Sequence, residues 1–102
     1  MTTLYISGPM TGYENYNVEA FHRCKGFLLA LGFDVLSPAD VPQTNDRSWE
    51  DYLRADIRMV LLCQGVCVLD KWWESKGAKL EVTIAMGLGL PIKSATDWSH
   101  GR

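Results

Sequence analysis

The apolar positions of this chain change period several times, from the every-other-residue spacing of strands to the three-and-four spacing of helices. Residues 3–8, TLYISG, are apolar and β-branched and end in glycine, which predicts a buried first strand. The following GPMTGYENYN reads as a loop, with Gly8, Pro9 and Gly12 as its breakers. From Asn17 to about Leu31, Phe21, Cys24, Phe27, Leu28 and Leu31 recur at helical spacing, and Gly32 supplies the stop. FDVLS (33–37) is a second strand, and PADVPQTNDR a polar, proline-bearing loop. Ser48, with Asp51 three residues later, resembles a capping box opening a helix that runs to about Cys63. GVCVLD (65–70) is a third strand, residues 76–88 a third helix closed by GLGLP, and PIKS (91–94) a short fourth strand. The closing ATDWSHGR reads as a loose tail or an oligomer contact.

Strand and helix alternate three times, which predicts right-handed crossovers and a parallel sheet covered on both faces. Ligands of such sheets bind beyond the carboxyl ends of the strands. Here those ends are the loops after Ser7, Ser37 and Asp70.

At 102 residues the chain reads as a single domain spanning 1–102. Its net charge of -2 argues against a nucleic-acid partner, which needs a basic surface to displace counterions, and leaves room for a small anionic ligand. Cys24, Cys63 and Cys67 are odd in number and lack CxxC spacing, so they read as buried reduced thiols in a cytoplasmic protein. His22 and His100 lie far from them in sequence, so no metal site is expected. No apolar run is long enough to span a bilayer, and no signal peptide is read at the N-terminus.

Two acids interrupt apolar stripes. In the second helix, Trp49, Leu53, Val60 and Cys63 face the sheet, and Asp56 falls on the same stripe. In the third, Ile84, Ala85 and Leu88 define an inner face that also carries Glu81, with Gly77 one turn earlier. A buried acid is costly unless paired or hydrogen-bonded. Two readings follow: rim acids bridged to Arg54, Arg58, Lys76 or Lys79, or a catalytic carboxylate pair dividing into nucleophile and proton handler.

Other residues are equally double. Ser7, Gly8 and Gly12 either make a strand-ending turn or bring backbone N–H groups close to a phosphate or sugar. Ser75 is a helix cap or a hydroxyl that joins the helix N-terminus in holding a phosphate. Trp72 and Trp73 pack a core edge or stack on a flat base.

LYISGPMTGYENYN followed by WWESKGAKLEVTIAMGLGLP resembles a small phage and bacterial family related to the nucleoside 2-deoxyribosyltransferases and the 2'-deoxynucleoside 5'-monophosphate N-glycosidases. The resemblance spans nearly the whole chain. It implies a flavodoxin-like (Rossmann-like) three-layer α/β sandwich with a parallel sheet of four or five strands. It also implies a homodimer or higher homo-oligomer that acts on a small-molecule nucleotide with neither metal nor cofactor. By position, Glu81 matches the nucleophile that attacks C1' of the sugar, and Asp56 the aspartate that helps the base depart. Ser75 matches the serine that binds the 5'-phosphate. Tyr5, Ser7 and the loop containing Gly8, Met10 and Gly12 match the segment lining the sugar and base pocket; Trp72 and Gly77 complete the expected site. Thr83 and Gln64 depart from the family pattern, and the first loop lacks the hydrolases' phosphate-binding arginine, which leaves Lys76 or Lys79 for that task.

The expectation is an N-glycosidase acting on a (deoxy)nucleoside 5'-monophosphate, with possible transfer to another base. A non-catalytic nucleotide-binding protein on the same fold is the alternative.

Overall fold

A computed structural model describes residues 1–44 and 46–100. Four strands form a parallel sheet in the order β2-β1-β3-β4: β1 Thr3–Ser7, β2 Asp34–Leu36, β3 Gly65–Val68 and β4 Ile92–Ser94. The register pairs Tyr5 with Leu36 on one side and with Val66 on the other, so β1 is central. Helices α1 (Val18–Ala30), α2 (Trp49–Leu61) and α3 (Lys76–Gly87) connect the strands, and α4 (Ala95–His100) closes the described chain. This is the flavodoxin-like α/β arrangement, with four strands.

The two-residue period of β1 divides the core. Leu4 and Ile6 point to one face, where they meet Phe21, Cys24 and Leu28 of α1, Phe33, and Trp98 of α4. Tyr5 points to the other, where it meets Val60 of α2, Cys63 just beyond that helix, Val66, and Ala85 of α3. Ser7 shares the parity of Tyr5, so it too is carried to the α2/α3 face. The three cysteines are free and buried.

Local chemistry sets the ends. Gly32 adopts φ +96 after α1, as a left-handed helix stop requires. The capping box of α2 is formed in both directions: Ser48 Oγ accepts from the Asp51 amide at 3.1 Å, and the Ser48 amide donates to Asp51 Oδ2 at 3.2 Å. Ser75 caps α3 by accepting from the Ala78 amide at 3.2 Å.

Two expectations are corrected. Residues 95–100 are not a loose tail but a docked helix: Trp98 is buried, its indole N–H donates to the Val66 carbonyl at 2.9 Å, and its ring meets Phe33 edge-on. The seat exists because residue 65 is glycine; a Cβ there would lie 2.7 Å from the Trp98 ring. Gly101 and Arg102 lie outside the described residues. The inner face of α3 is also shifted: Ala78, Glu81, Val82 and Ala85 are buried, whereas Leu88 is the C-cap and points to solvent. The helix ends at Gly87, so the 3.6-residue period no longer governs Leu88, and Leu90 packs into the core instead.

The segment between β1 and α1 is not a plain loop. Asn15, Tyr16 and Asn17 all have left-handed backbone angles, with φ of 48, 53 and 61. That conformation costs about 1–2 kcal/mol for each residue bearing a Cβ, least for asparagine. The turn is tied down by Asn17 Nδ2, which donates to the Pro9 carbonyl at 3.0 Å.

Candidate functional site

The chain leaves β1 toward β2 on one side and later builds β3 and β4 on the other, so the connections diverge above β1 and β3. A cavity of about 1000 Å³ opens at the carboxyl ends there, at the upper end of the usual range for ligand pockets. It is lined by the β1–α1 segment, the loop before α2, the inward side of α2, and the start of α3.

Asp56 and Glu81 sit in its wall, one from α2 and one from α3. Glu81 is 4% exposed. Its Oε1 accepts from Ser7 Oγ at 2.7 Å, a contact that links the end of β1 to α3. Tyr5, directly below in the strand, is fully buried; its hydroxyl lies close enough to Glu81 to act on its charge but has no partner of good hydrogen-bond geometry. Asp56 and Glu81 face the same cavity and act on each other's charge.

Burial controls the protonation of this group. Desolvation pushes Glu81 up to about 8, the charge of Asp56 adds to it, and the hydroxyls of Ser7 and Tyr5 oppose it. Desolvation also raises Asp56, to about 6, with the hydrogen bond to Glu81 pulling the other way. Both carboxyls are thus held above the usual carboxylate range, and the two titrate as a coupled pair. Glu81 lies in the second turn of α3, beyond the first turn where a helix dipole is felt, so desolvation prevails over that dipole. Tyr5 is driven well above its ordinary value by burial and then by the two carboxylates, so it stays a neutral donor.

The rim-acid reading is overturned among the described residues. Neither acid is bridged to a cation, and Arg54 pairs with Asp51 instead, at 3.2 Å.

Of the other residues singled out in the sequence, Gly8, Met10, Ser75 and Gly77 line the cavity. Tyr5 and Ser7 lie beneath its floor, with Ser7 wholly buried. Gly12, at φ +86, and Trp72 are not part of the wall. Trp72 packs edge-on against Trp73 in the short turn before α3. Gly8 is required by packing as well, because a Cβ there would come within 2.7 Å of Leu69. Gly77 is not: a Cβ would make only ordinary contact with Trp49, at 3.8 Å.

Sequence reasoning assigned Trp49 to the core, yet it faces the cavity, with Tyr52, Tyr13 and Tyr16 also in the wall. Among the described residues two cations, Lys76 and Arg47, line the cavity. Lys76 Nζ stands 4.5 Å above the Trp49 ring, and the Arg47 guanidinium 5.9 Å above Tyr52; Lys79 is exposed and outside the wall. Arg47 left no signal in the sequence, being one charge in a polar loop. Among the described residues no group of three or more His, Cys, Asp or Glu is placed to hold a metal, and no helix is long and apolar enough to cross a membrane.

Residues 2–94 match a family described as a domain of unknown function, DUF4406. The chain belongs to that family. No curated protein matches it. Among solved structures, this DUF4406 chain is similar to the 2-deoxyribosyltransferase of the psychrotolerant bacterium Bacillus psychrosaccharolyticus. The TM-score is 0.69 at 20% identity, over 88% of this chain and 69% of that one. At that identity the likeness shows the fold, which is nucleoside 2-deoxyribosyltransferase-like. It leaves the work of the DUF4406 cavity to be argued from its own residues.

Proposed function

We propose that the protein is an N-glycosidase that cleaves the base–sugar bond of a (deoxy)nucleoside 5'-monophosphate, with Glu81 as nucleophile. The observation that carries this reading is the pairing of buried Glu81 with half-buried Asp56 in the wall of a cavity also lined by Lys76, Arg47 and the α3 cap Ser75. The deoxyribosyltransferase likeness supports glycosyl chemistry on this fold.

In this mechanism Asp56 takes the proton of Glu81. The Glu81 carboxylate attacks C1', and the C1'–N bond breaks with its electron pair leaving on the base nitrogen, which takes the proton from Asp56. Water then adds to C1' with its proton passing to Asp56, and the sugar phosphate departs from Glu81. A second base in place of water gives transfer. A retaining pair works with its two carboxyls about 5–5.5 Å apart around the sugar. Glu81 is held in place by Ser7, and Asp56, only half-buried, faces the cavity.

The test is chromatography of a nucleoside and nucleotide panel after incubation, with freed base as the signal. Base release by the parent chain and its loss in Glu81→Gln support the proposal; base release by folded Glu81→Gln sinks the nucleophile.

One observation favours a second reading, binding without cleavage: the burial of Glu81 raises it toward its neutral form, and a neutral carboxyl is a poor nucleophile. Recovery of intact nucleotide from a tight complex after long incubation decides for that reading.

A further inference from the structure

The segment 14–17 is a strained device at the mouth of the cavity, and the mechanism above makes no use of it. Tyr16 is the notable member. Asparagine tolerates the left-handed region, whereas for a bulky ring it is an outlier, and such outliers persist where the surrounding structure enforces them and function exploits them. Tyr16 adopts φ 53 between two left-handed asparagines. It gains little burial in return: Tyr16 is 48% exposed, nearby Tyr13 41%, and the turn has no buried residue. Among the described residues neither ring stacks on another aromatic and neither hydroxyl has a hydrogen-bond partner. Both rings line the cavity. The turn leads into α1, which covers the opposite face of the sheet from α2, so Tyr16 and Trp49 reach the cavity from different sides.

We infer that Tyr16 is a ligand-binding wall whose ring stacks on the heteroaromatic base of a nucleotide, and that the left-handed turn exists to present it. This rests on the nucleotide reading above but does not require cleavage. A flat apolar face at a half-open mouth suits a base, since stacking asks for area and not for a particular donor pattern. The tyrosine is thus a specificity element for ligands that carry a base, acting apart from the carboxyl pair.

The test uses Tyr16→Gly, which fits the left-handed conformation without strain and deletes the ring, and Tyr16→Phe, which keeps the ring. Calorimetry is run on each in a Glu81→Gln background, which prevents turnover, with the four common nucleoside 5'-monophosphates and with ribose 5-phosphate, which has no base. Expected is a loss of at least tenfold in affinity for the best-bound nucleotide in Tyr16→Gly, near-parent affinity in Tyr16→Phe, and unchanged ribose 5-phosphate binding. Melting temperatures read the strain: a ring placed for ligand leaves Tyr16→Gly at least as stable as its parent, whereas a ring placed for structure makes it less stable. Unchanged nucleotide affinity in a folded Tyr16→Gly overturns the inference while leaving the glycosidase proposal standing. Nucleotide binding that depends on Tyr16, with no base release by the parent chain, overturns the glycosidase and supports the inference. Equal losses for nucleotide and ribose 5-phosphate also overturn it, because the ring would then not be reading the base.

Discussion

Ser7 and Glu81, 74 positions apart, meet through a 2.7 Å hydrogen bond that is closed to solvent at both ends. The bond sets the position of the most buried acid in the molecule and couples the last residue of the central strand to α3. Ser7→Ala removes the donor and leaves the carboxyl short of a partner. Expected is a loss of about 1–3 kcal/mol of stability, read by urea denaturation. The loss should shrink when the same change is made in Glu81→Gln, since a shared interaction is lost only once.

The carboxyl pair also gives stability a pH slope. Glu81 moves from 4.5 to about 8 and Asp56 from 3.8 to about 6 on folding. The folded chain therefore binds more protons than the unfolded one across that window, and stability must fall as pH rises through it. The contribution is whole below about pH 4 and gone above about pH 8. Glu81→Gln should flatten the slope and, at pH 8 and above, stabilise the fold by roughly 1–3 kcal/mol; melting temperature against pH is the measurement. Asp46 and Asp51, both lowered by hydrogen bonds, act oppositely but only at more acid pH.

Gly65 and Trp98 form a glycine seat and its occupant. Gly65→Ala drives a methyl into the indole and should cost about 1–3 kcal/mol as an overpacked site. Trp98→Ala should cost about 3–5 kcal/mol as a large deletion. Both should speed exchange of amides in β3, and Gly65→Ala should also expose the indole N–H that now donates to Val66, as followed by NMR.

At the cavity mouth, Lys76→Ala and Arg47→Gln should each weaken binding of a nucleoside 5'-monophosphate by roughly 1.5–3 kcal/mol, the worth of a charged hydrogen bond. The corresponding nucleoside should be little affected. Calorimetry with the matched pair of ligands separates the two, and equal losses for both would place these cations away from the phosphate.

Much of the architecture was legible because its signals are local. Strand and helix periods, the Ser48–Asp51 box and Gly32 each act within a few residues, and each is where the sequence put it. The intruding acids on two apolar stripes were legible for the same reason, although only the fold shows that they share one cavity wall and, among the described residues, bridge to no cation. What stayed hidden depends on partners distant in sequence. Trp98 reads as an exposed tail until Gly65 is seen beneath it. Trp49 fits a core stripe as well as a cavity wall, because one face of α2 serves both. Arg47 carries no periodicity at all. The left-handed turn at 15–17 has no glycine to announce it, since asparagines stand where that signal would be.

The depth difference between the two ends of the cavity has a kinetic meaning. Glu81 is shut away from solvent, while Lys76 and Arg47 are exposed. Dissolved salt screens exposed charges over about 8–10 Å and reaches buried ones far less. If the protein is the glycosidase proposed above, ionic strength acts on capture at the mouth and spares bond-breaking at the floor, so in a turnover assay added salt should raise KM and leave kcat nearly constant.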